Sequence, residues 1–175
     1  MNCNIEVPFL ISVLGGGNAD RAFAEKLVAE ASRRKIKIRI RTGNQLALCF
    51  AQCGHLLHCR PEAAELSKEV RQAADRIYPA RADIDGVWWN LATADALVIL
   101  PGGLADFREI LPYLPEARNG NGPVPAALVG LVGEECEHFQ TLGREHPKRV
   151  RVLGFNTGAV YDTLGFLQVP APTDS

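Results

Sequence analysis

The stretch ADALVILPGGLADFREIL, residues 94–111, decides the fold. It runs an apolar segment, 96–100, straight into Pro101, Gly102 and Gly103, and then into a charged, helix-like segment carrying Asp106 and Glu109. A buried strand that stops on glycines before a helix exposes backbone N–H groups at the positive end of the helix dipole, which suits a ligand site. The same residues make a tight turn with a capped helix, because Asp106 and Glu109 have the D-x-x-E spacing of a capping box. Both readings are open at this point. Pro112 would crowd the carbonyl of Arg108 in a helix that starts at Phe107, so this helix is expected to be short or kinked.

Strand-like and helix-like signals alternate along the whole chain. PFLISVL (8–14) is an apolar run that ends on Gly15, Gly16 and Gly17 and leads through Asn18, Ala19 and Asp20 into a helix reaching about residue 34, with Ala22, Phe23, Leu27 and Val28 on its apolar face. KIKIRIR (35–41) alternates strictly, which predicts a strand with Ile36, Ile38 and Ile40 inside and Lys35, Lys37, Arg39 and Arg41 on a wet face. Thr42, Gly43 and Asn44 form a turn into a short helix over 45–52, and HLLHC is a brief strand. A helix is expected from Pro61 to about Tyr78, another over 83–93, strands within 123–132 and 149–155, and helices near 133–143 and 158–167. Repeated β-α alternation predicts an α/β fold: a Rossmann-like, doubly wound, mainly parallel sheet with helices on both faces. Ligands of such sheets bind beyond the carboxyl ends of the strands, where the strand order reverses. The turns 15–18 and 101–106 are therefore expected side by side, with the N–H groups of Gly16, Gly17 and Asn18 placed to hold a phosphate or the polar edge of a ligand.

ADALVILPGGLADFREI resembles the signature A-D-A-x-I-A-L-P-G-G-x-G-T-x-x-E of the Lonely Guy (LOG) family, formerly described as lysine decarboxylases, and VLGFNTGAVYDTLGFL (152–167) is similar to that family's L-x-N-x-x-G-x-Y-x-x-L-x-x-F segment. The resemblance implies a Rossmann-like fold and a phosphoribohydrolase that cuts the N-glycosidic bond of nucleoside 5′-monophosphates. Other branches bind nucleotides without hydrolysis or carry the molybdenum cofactor. Residue by residue, Pro101, Gly102, Gly103 and Glu109 match, whereas the family's glycine is Ala105 and its phosphate-contacting threonine is Asp106. The family's catalytic arginine falls on Gly86, and its second glycine turn is reduced to Thr42-Gly43-Asn44-Gln45-Leu46.

Glycosidic cleavage builds positive charge on the sugar, so Glu109 is the matched catalytic candidate, a carboxylate that stabilises an oxocarbenium-like state. Two negative charges a few ångströms apart repel by about 1 kcal/mol in water and more in a dry site, so Asp106 disfavours a phosphate unless a cation intervenes. The resulting expectation is a divergent LOG-like protein that binds a nucleotide or other small anion-bearing ligand with weak or no hydrolysis. Gly15, Gly16, Gly17, Asn18, Gly43, Pro101, Gly102, Gly103, Ala105 and Asp106 would line the site. The alternative is an active phosphoribohydrolase in which Arg81 or Arg108 replaces the missing arginine; the lesser one is a molybdenum-cofactor carrier or a metal-binding protein.

CFAQCGHLLHC gathers Cys49, Cys53, His55, His58 and Cys59, all soft metal ligands, but strand alternation sends His58 and Cys59 to opposite faces and the spacing lacks the paired clips of structural zinc sites. No metal or resident cofactor is expected. A net charge of -1 over 175 residues gives no footprint for nucleic acid or an anionic membrane, and 47% hydrophobic content supplies one core. One domain over 1–168 with a flexible tail over 169–175 is expected. Five cysteines, an odd number, read as thiols, and with no leader-like start or membrane-length apolar stretch the expected location is the cytoplasm. Trp88 and Trp89 cannot both face one core, so one of them would stack on a base or pack across a subunit boundary, and the resemblance to LOG proteins, which dimerise through this helical region, implies a homodimer or larger oligomer.

Overall fold

The computed structural model describes residues 8–17, 20–41, 46, 49, 56–58, 68, 72, 76–78, 94–114 and 122–172. Seven strands form one sheet: β1 (Leu10–Leu14), β2 (Lys37–Arg41), β3 (Leu56–His58), β4 (Arg76–Tyr78), β5 (Ala96–Ile99), β6 (Ala126–Val129) and β7 (Val150–Leu153). All six pairings are parallel, in the order β4-β3-β2-β1-β5-β6-β7. The chain moves outward in one direction from β1 to β4, then returns to the other side of β1 with β5, so the strand order reverses between β1 and β5. The helices described are α1 (Arg21–Arg33), α2 (Leu104–Ile110), α3 (Gly133–Glu145) and α4 (Ala159–Phe166).

Alternation along the central strands splits the apolar residues between two cores. Ile11 and Val13, Ala96 and Val98, and Ala127 and Val129 pack with Ala24, Leu27 and Val28 of α1 and with Val160 and Leu164 of α4. Leu97 and Ile99, with Ala126 and Leu128, pack on the opposite side with Phe107 and Ile110 of α2 and Phe139 of α3. A strand covered on both faces favours apolar side chains at every position, which is why 96–100 reads as an unbroken apolar run. The doubly wound architecture is the one the β-α alternation implies.

Three sequence expectations change. Arg39 is only 4% exposed, so β2 does not have the wet face its alternation suggested; it lies inside the sheet between β1 and β3, and Arg39 pairs in register with buried Ser12. Arg76–Tyr78 is not the end of a helix but strand β4, although Lys68 and Gln72 before it are helical. Tyr78 precedes Pro79, whose ring disfavours helical backbone in the preceding residue, and pairing with β3 satisfies the extended segment. Val169 is 8% exposed and donates its N–H to Leu164 O at 3.1 Å, so the expected frayed tail is docked at its start by an apolar side chain.

Asp95, the acid of the A-D-A motif, is structural. Its Oδ2 accepts the Leu10 N–H at 2.8 Å while its own N–H donates to Leu10 O at 2.9 Å, which closes the amino ends of β1 and β5. The carboxyl ends of the same two strands are closed by glycine. A Cβ on Gly15 would meet Leu100 O at 2.6 Å and the Cα of Gly103 at 2.8 Å, and one on Gly103 would meet Leu14 O at 2.7 Å. Gly15 also has φ +74, a left-handed conformation that costs an L-residue energy. Gly15→Ala should therefore destabilise the protein by about 3 kcal/mol or more in urea unfolding, from strain and overpacking together. Gly165→Ala, in open space on α4, should instead gain about 0.5 kcal/mol from helix propensity.

Candidate functional site

The turns that follow β1 and β5 touch each other at the point where strand order reverses. Gly16 N–H donates to Pro101 O at 2.9 Å, and Gly103 N–H closes its own turn on Leu100 O at 3.0 Å. Three glycines in the two turns have positive φ: Gly15 at +74, Gly16 at +108 and Gly102 at +92. Gly16 is covered by apolar side chains, since a Cβ there would meet Leu46 Cδ1 at 2.7 Å and Leu100 Cδ1 at 3.2 Å. The described residues of the sequence-derived site, Gly15, Gly16, Gly17, Pro101, Gly102, Gly103, Ala105 and Asp106, are thus brought to one end of the sheet. Gly102 and Ala105 are exposed, Gly103 is buried and the rest lie between.

The amides of the first turn are not left open for an anion. Asp20 Oδ2 accepts the Gly17 N–H at 2.8 Å, and the Asp20 N–H returns a bond to Gly17 O at 3.0 Å. With Gly16 bonded to Pro101, both described N–H groups expected to receive a phosphate have partners within the chain. Asp20 is the N-cap residue of α1, yet its side chain makes no cap bond and turns back onto the loop. It is 3% exposed and places a carboxylate at the positive end of a 13-residue helix, the position that favours a negative group. In the sequence Asp20 reads only as part of a helix start. The signal that finds it is an acid three residues after a glycine turn, which can close a loop as readily as cap a helix.

The second turn begins its helix earlier than the sequence suggested. Phe107 N–H donates to Gly103 O at 3.0 Å, so Gly103 is the N-cap and α2 starts at Leu104 rather than Phe107. Asp106 therefore stands in the first turn, not at the N-cap, and no side-chain cap bond forms; the capping-box reading is set aside. A 3-10 turn, Leu111–Tyr113, follows directly and holds Pro112, in keeping with a short helix. Leu104, Phe107 and Ile110 are buried, which leaves Ala105 and Glu109, four residues apart, on the outer side of α2.

No described arginine is aimed at Glu109. Arg108 Nη2 lies 3.5 Å from Glu135 Oε1 and the guanidinium stacks 5.4 Å from the centre of the Phe139 ring, so Arg108 contacts α3. Arg21, next to Asp20, bonds Glu25 at 2.9 Å, and that hydrogen bond raises its pKa further above the ordinary range. Asn18, Gly43, Arg81 and Gly86 lie outside the described residues, as do Cys53, His55, Cys59, Trp88 and Trp89. Cys49 is half-buried against the core, and His58 is described only as backbone in β3. Among the described residues there is no group of three or more His, Cys, Asp or Glu that could hold a metal ion, and no helix long and apolar enough to cross a membrane.

The chain is similar in fold to the molybdenum cofactor carrier protein MCP of Chlamydomonas reinhardtii, with a TM-score of 0.63, 18% sequence identity, and 93% of this chain and 99% of that chain covered. At that identity the likeness concerns the fold. No family model matches the sequence, and no curated protein matches it.

Asp20→Ala should destabilise the protein by about 1–3 kcal/mol in denaturant unfolding, because the Gly17 N–H loses its acceptor. Asp20→Asn keeps an oxygen acceptor and should lose less. Glu109→Ala, on an exposed position, should change stability by no more than about 0.5 kcal/mol.

Proposed function

We propose that this chain is a divergent LOG-like protein that binds a small nucleotide-like ligand over the carboxyl ends of β1 and β5 and hydrolyses it weakly or not at all. The observation that carries this reading is the Asp20 carboxylate already bonded to the Gly17 amide, at the turn where an anion would otherwise sit. Asp106, in the first turn of α2, puts a second acid at the neighbouring turn. A 5′-phosphate approaching this end of the sheet finds the Gly16 and Gly17 amides already bonded within the chain, while the two arginines nearest the turns in sequence, Arg21 and Arg108, are each paired with a glutamate. The ligand then meets the glycine turns through its base and sugar, whose N–H and O–H groups suit carboxylate acceptors.

Hydrolysis of the glycosidic bond needs a gripped phosphate to fix the sugar and a cation beside the reacting centre. Glu109 supplies only the third requirement, a carboxylate. Each missing charged contact typically lowers a rate about a hundredfold, so two losses leave little turnover.

Carriage of a cofactor is a second reading, favoured by the likeness over nearly the full length of a cofactor carrier. The described residues of the two turns would fit an anionic group of such a cofactor poorly, since the Gly16 and Gly17 amides are bonded within the chain and none of these residues is a cation. Molybdenum retained by the purified protein at a stoichiometry near one, measured by inductively coupled plasma mass spectrometry, would favour carriage over nucleotide binding.

The test of the main reading is free base released from AMP, measured by chromatography. The wild type should stay near the uncatalysed rate. The triple substitution Gly86→Arg, Ala105→Gly and Asp106→Thr should raise the rate by about a hundredfold or more. Robust turnover by the wild type that disappears in Glu109→Ala would overturn the reading and establish a hydrolase.

A further inference from the structure

A concavity lies between the first turns of α1 and the β7–α4 connection, and none of its described lining residues belongs to the glycine turns. It has a volume of about 340 Å³ and is walled by Phe23, Lys26, Phe155, Asn156, Thr157 and Val160, among others. That volume falls in the range that takes a small organic ligand.

Its central feature is an aromatic ring held firmly and left partly open. A Cβ on Gly130 would lie 2.7 Å from Phe155 Cδ2 and nearer still to the far edge of that ring, so the ring rests directly on the glycine backbone. Gly130 has φ +81 and donates its N–H to Leu153 O at 2.9 Å, which fixes this seat at the ends of β6 and β7. On another side Phe155 tilts against Phe23, with ring centres 5.6 Å apart at 54°. Phe155 nevertheless remains 45% exposed, whereas Phe23 is buried. An aromatic side chain seated on glycine and braced by a second ring loses little further freedom when a flat ligand stacks on it.

Hydrogen-bond donors surround the ring. Lys26 has Glu30 four residues on, the usual helical partner, but Glu30 is already engaged by Arg33, Arg34 and the Tyr161 hydroxyl. Among the described residues no acid pairs with Lys26. The Asn156 side chain accepts the Gly158 N–H through Oδ1 at 3.0 Å, which orients its carboxamide and leaves the Nδ2 donors without a partner among the described residues. The Thr157 hydroxyl likewise has none among them. A cation, an amide and a hydroxyl beside an open ring face call for acceptor oxygens next to a π-system.

We propose that this cleft is a second ligand site, for a heteroaromatic ring carrying a phosphate or carboxylate, with the ring stacked on Phe155 and the anion held by Lys26. The site does not depend on what the glycine turns bind. Unlike those turns, it offers a cation and no carboxylate among its described lining residues.

The experiment is a titration of the uniformly 15N-labelled protein followed by amide chemical shifts. The probes are AMP, nicotinate, adenosine and ribose 5-phosphate. AMP or nicotinate should shift the amides of Lys26 and of residues 155–158 saturably, and whichever binds more tightly identifies the anion as phosphate or carboxylate. Adenosine, lacking the anion, and ribose 5-phosphate, lacking the ring, should each bind about tenfold more weakly than AMP. Lys26→Gln should weaken the anions about fivefold or more and leave adenosine unchanged, and Phe155→Ala should weaken every ring-bearing probe about tenfold. Should Phe155→Ala fail to fold, Lys26→Gln, at an exposed helix position, decides the matter alone. Shifts confined to the turns 15–17 and 101–106, or equal affinity of wild type and Lys26→Gln for both anions, would overturn the second site while leaving the glycine-turn reading standing. Saturable shifts at Lys26 and 155–158 that weaken in Lys26→Gln would support it whatever the turns do.

Discussion

The close approach of Gly15 to Gly103 is the constraint on which the carboxyl end of the central strand pair depends. β1 and β5 are neighbours whose following segments leave in opposite directions, toward β2 and toward β6, so their turns must diverge from a shared point. Here the backbones meet so closely that neither position has room for a methyl group. Gly16 N–H on Pro101 O ties the two turns, and the Asp95 pairing with Leu10 ties the other ends of the same strands. The central pair is clamped at both ends, and the cores on its two faces are built outward from it.

That clamp has a chemical consequence. Backbone N–H groups at a helix start serve an anion only when nothing else accepts from them. In this chain Pro101 O takes one and Asp20 takes another, so the protein uses its own carboxylate where other sheets of this kind admit a ligand's. The Gly16 and Gly17 amides of the turn are thereby satisfied within the chain. Across α1, the Phe155 cleft has the complementary character, with Lys26 and side-chain donors around an aromatic face.

Much of the fold was legible because it rests on local patterns. The runs 96–100 and 126–129 are apolar without a break, and 10–14 is interrupted only by Ser12, because each strand is covered on both faces, and the glycines after β1 and β5 mark their ends. Arg39 misled because alternation reports charge, not sheet position, and an interior strand can still bury a charged side chain beside Ser12. β4 was hidden by a helix-like pattern upstream, with only the weak preference of Tyr78 before Pro79 against it. Of the candidate site, the meeting of the two turns followed from strand order. The destinations of individual hydrogen bonds did not, because Asp20 can reach either its helix or its loop, and nothing local tells Arg108 that Glu135 lies across from it. The Phe155 seat was equally invisible, since it needs Gly130 from a different strand.

The central claim is that the amides of the first glycine turn are already taken by the chain. Hydrogen exchange of the Gly16 and Gly17 amides, followed by NMR with and without inorganic phosphate, tests it directly. Both amides should exchange slowly in the ligand-free protein, at rates that phosphate leaves unchanged. Rapid exchange in the free protein that slows on adding phosphate would contradict the account and return these amides to the role of an anion cradle.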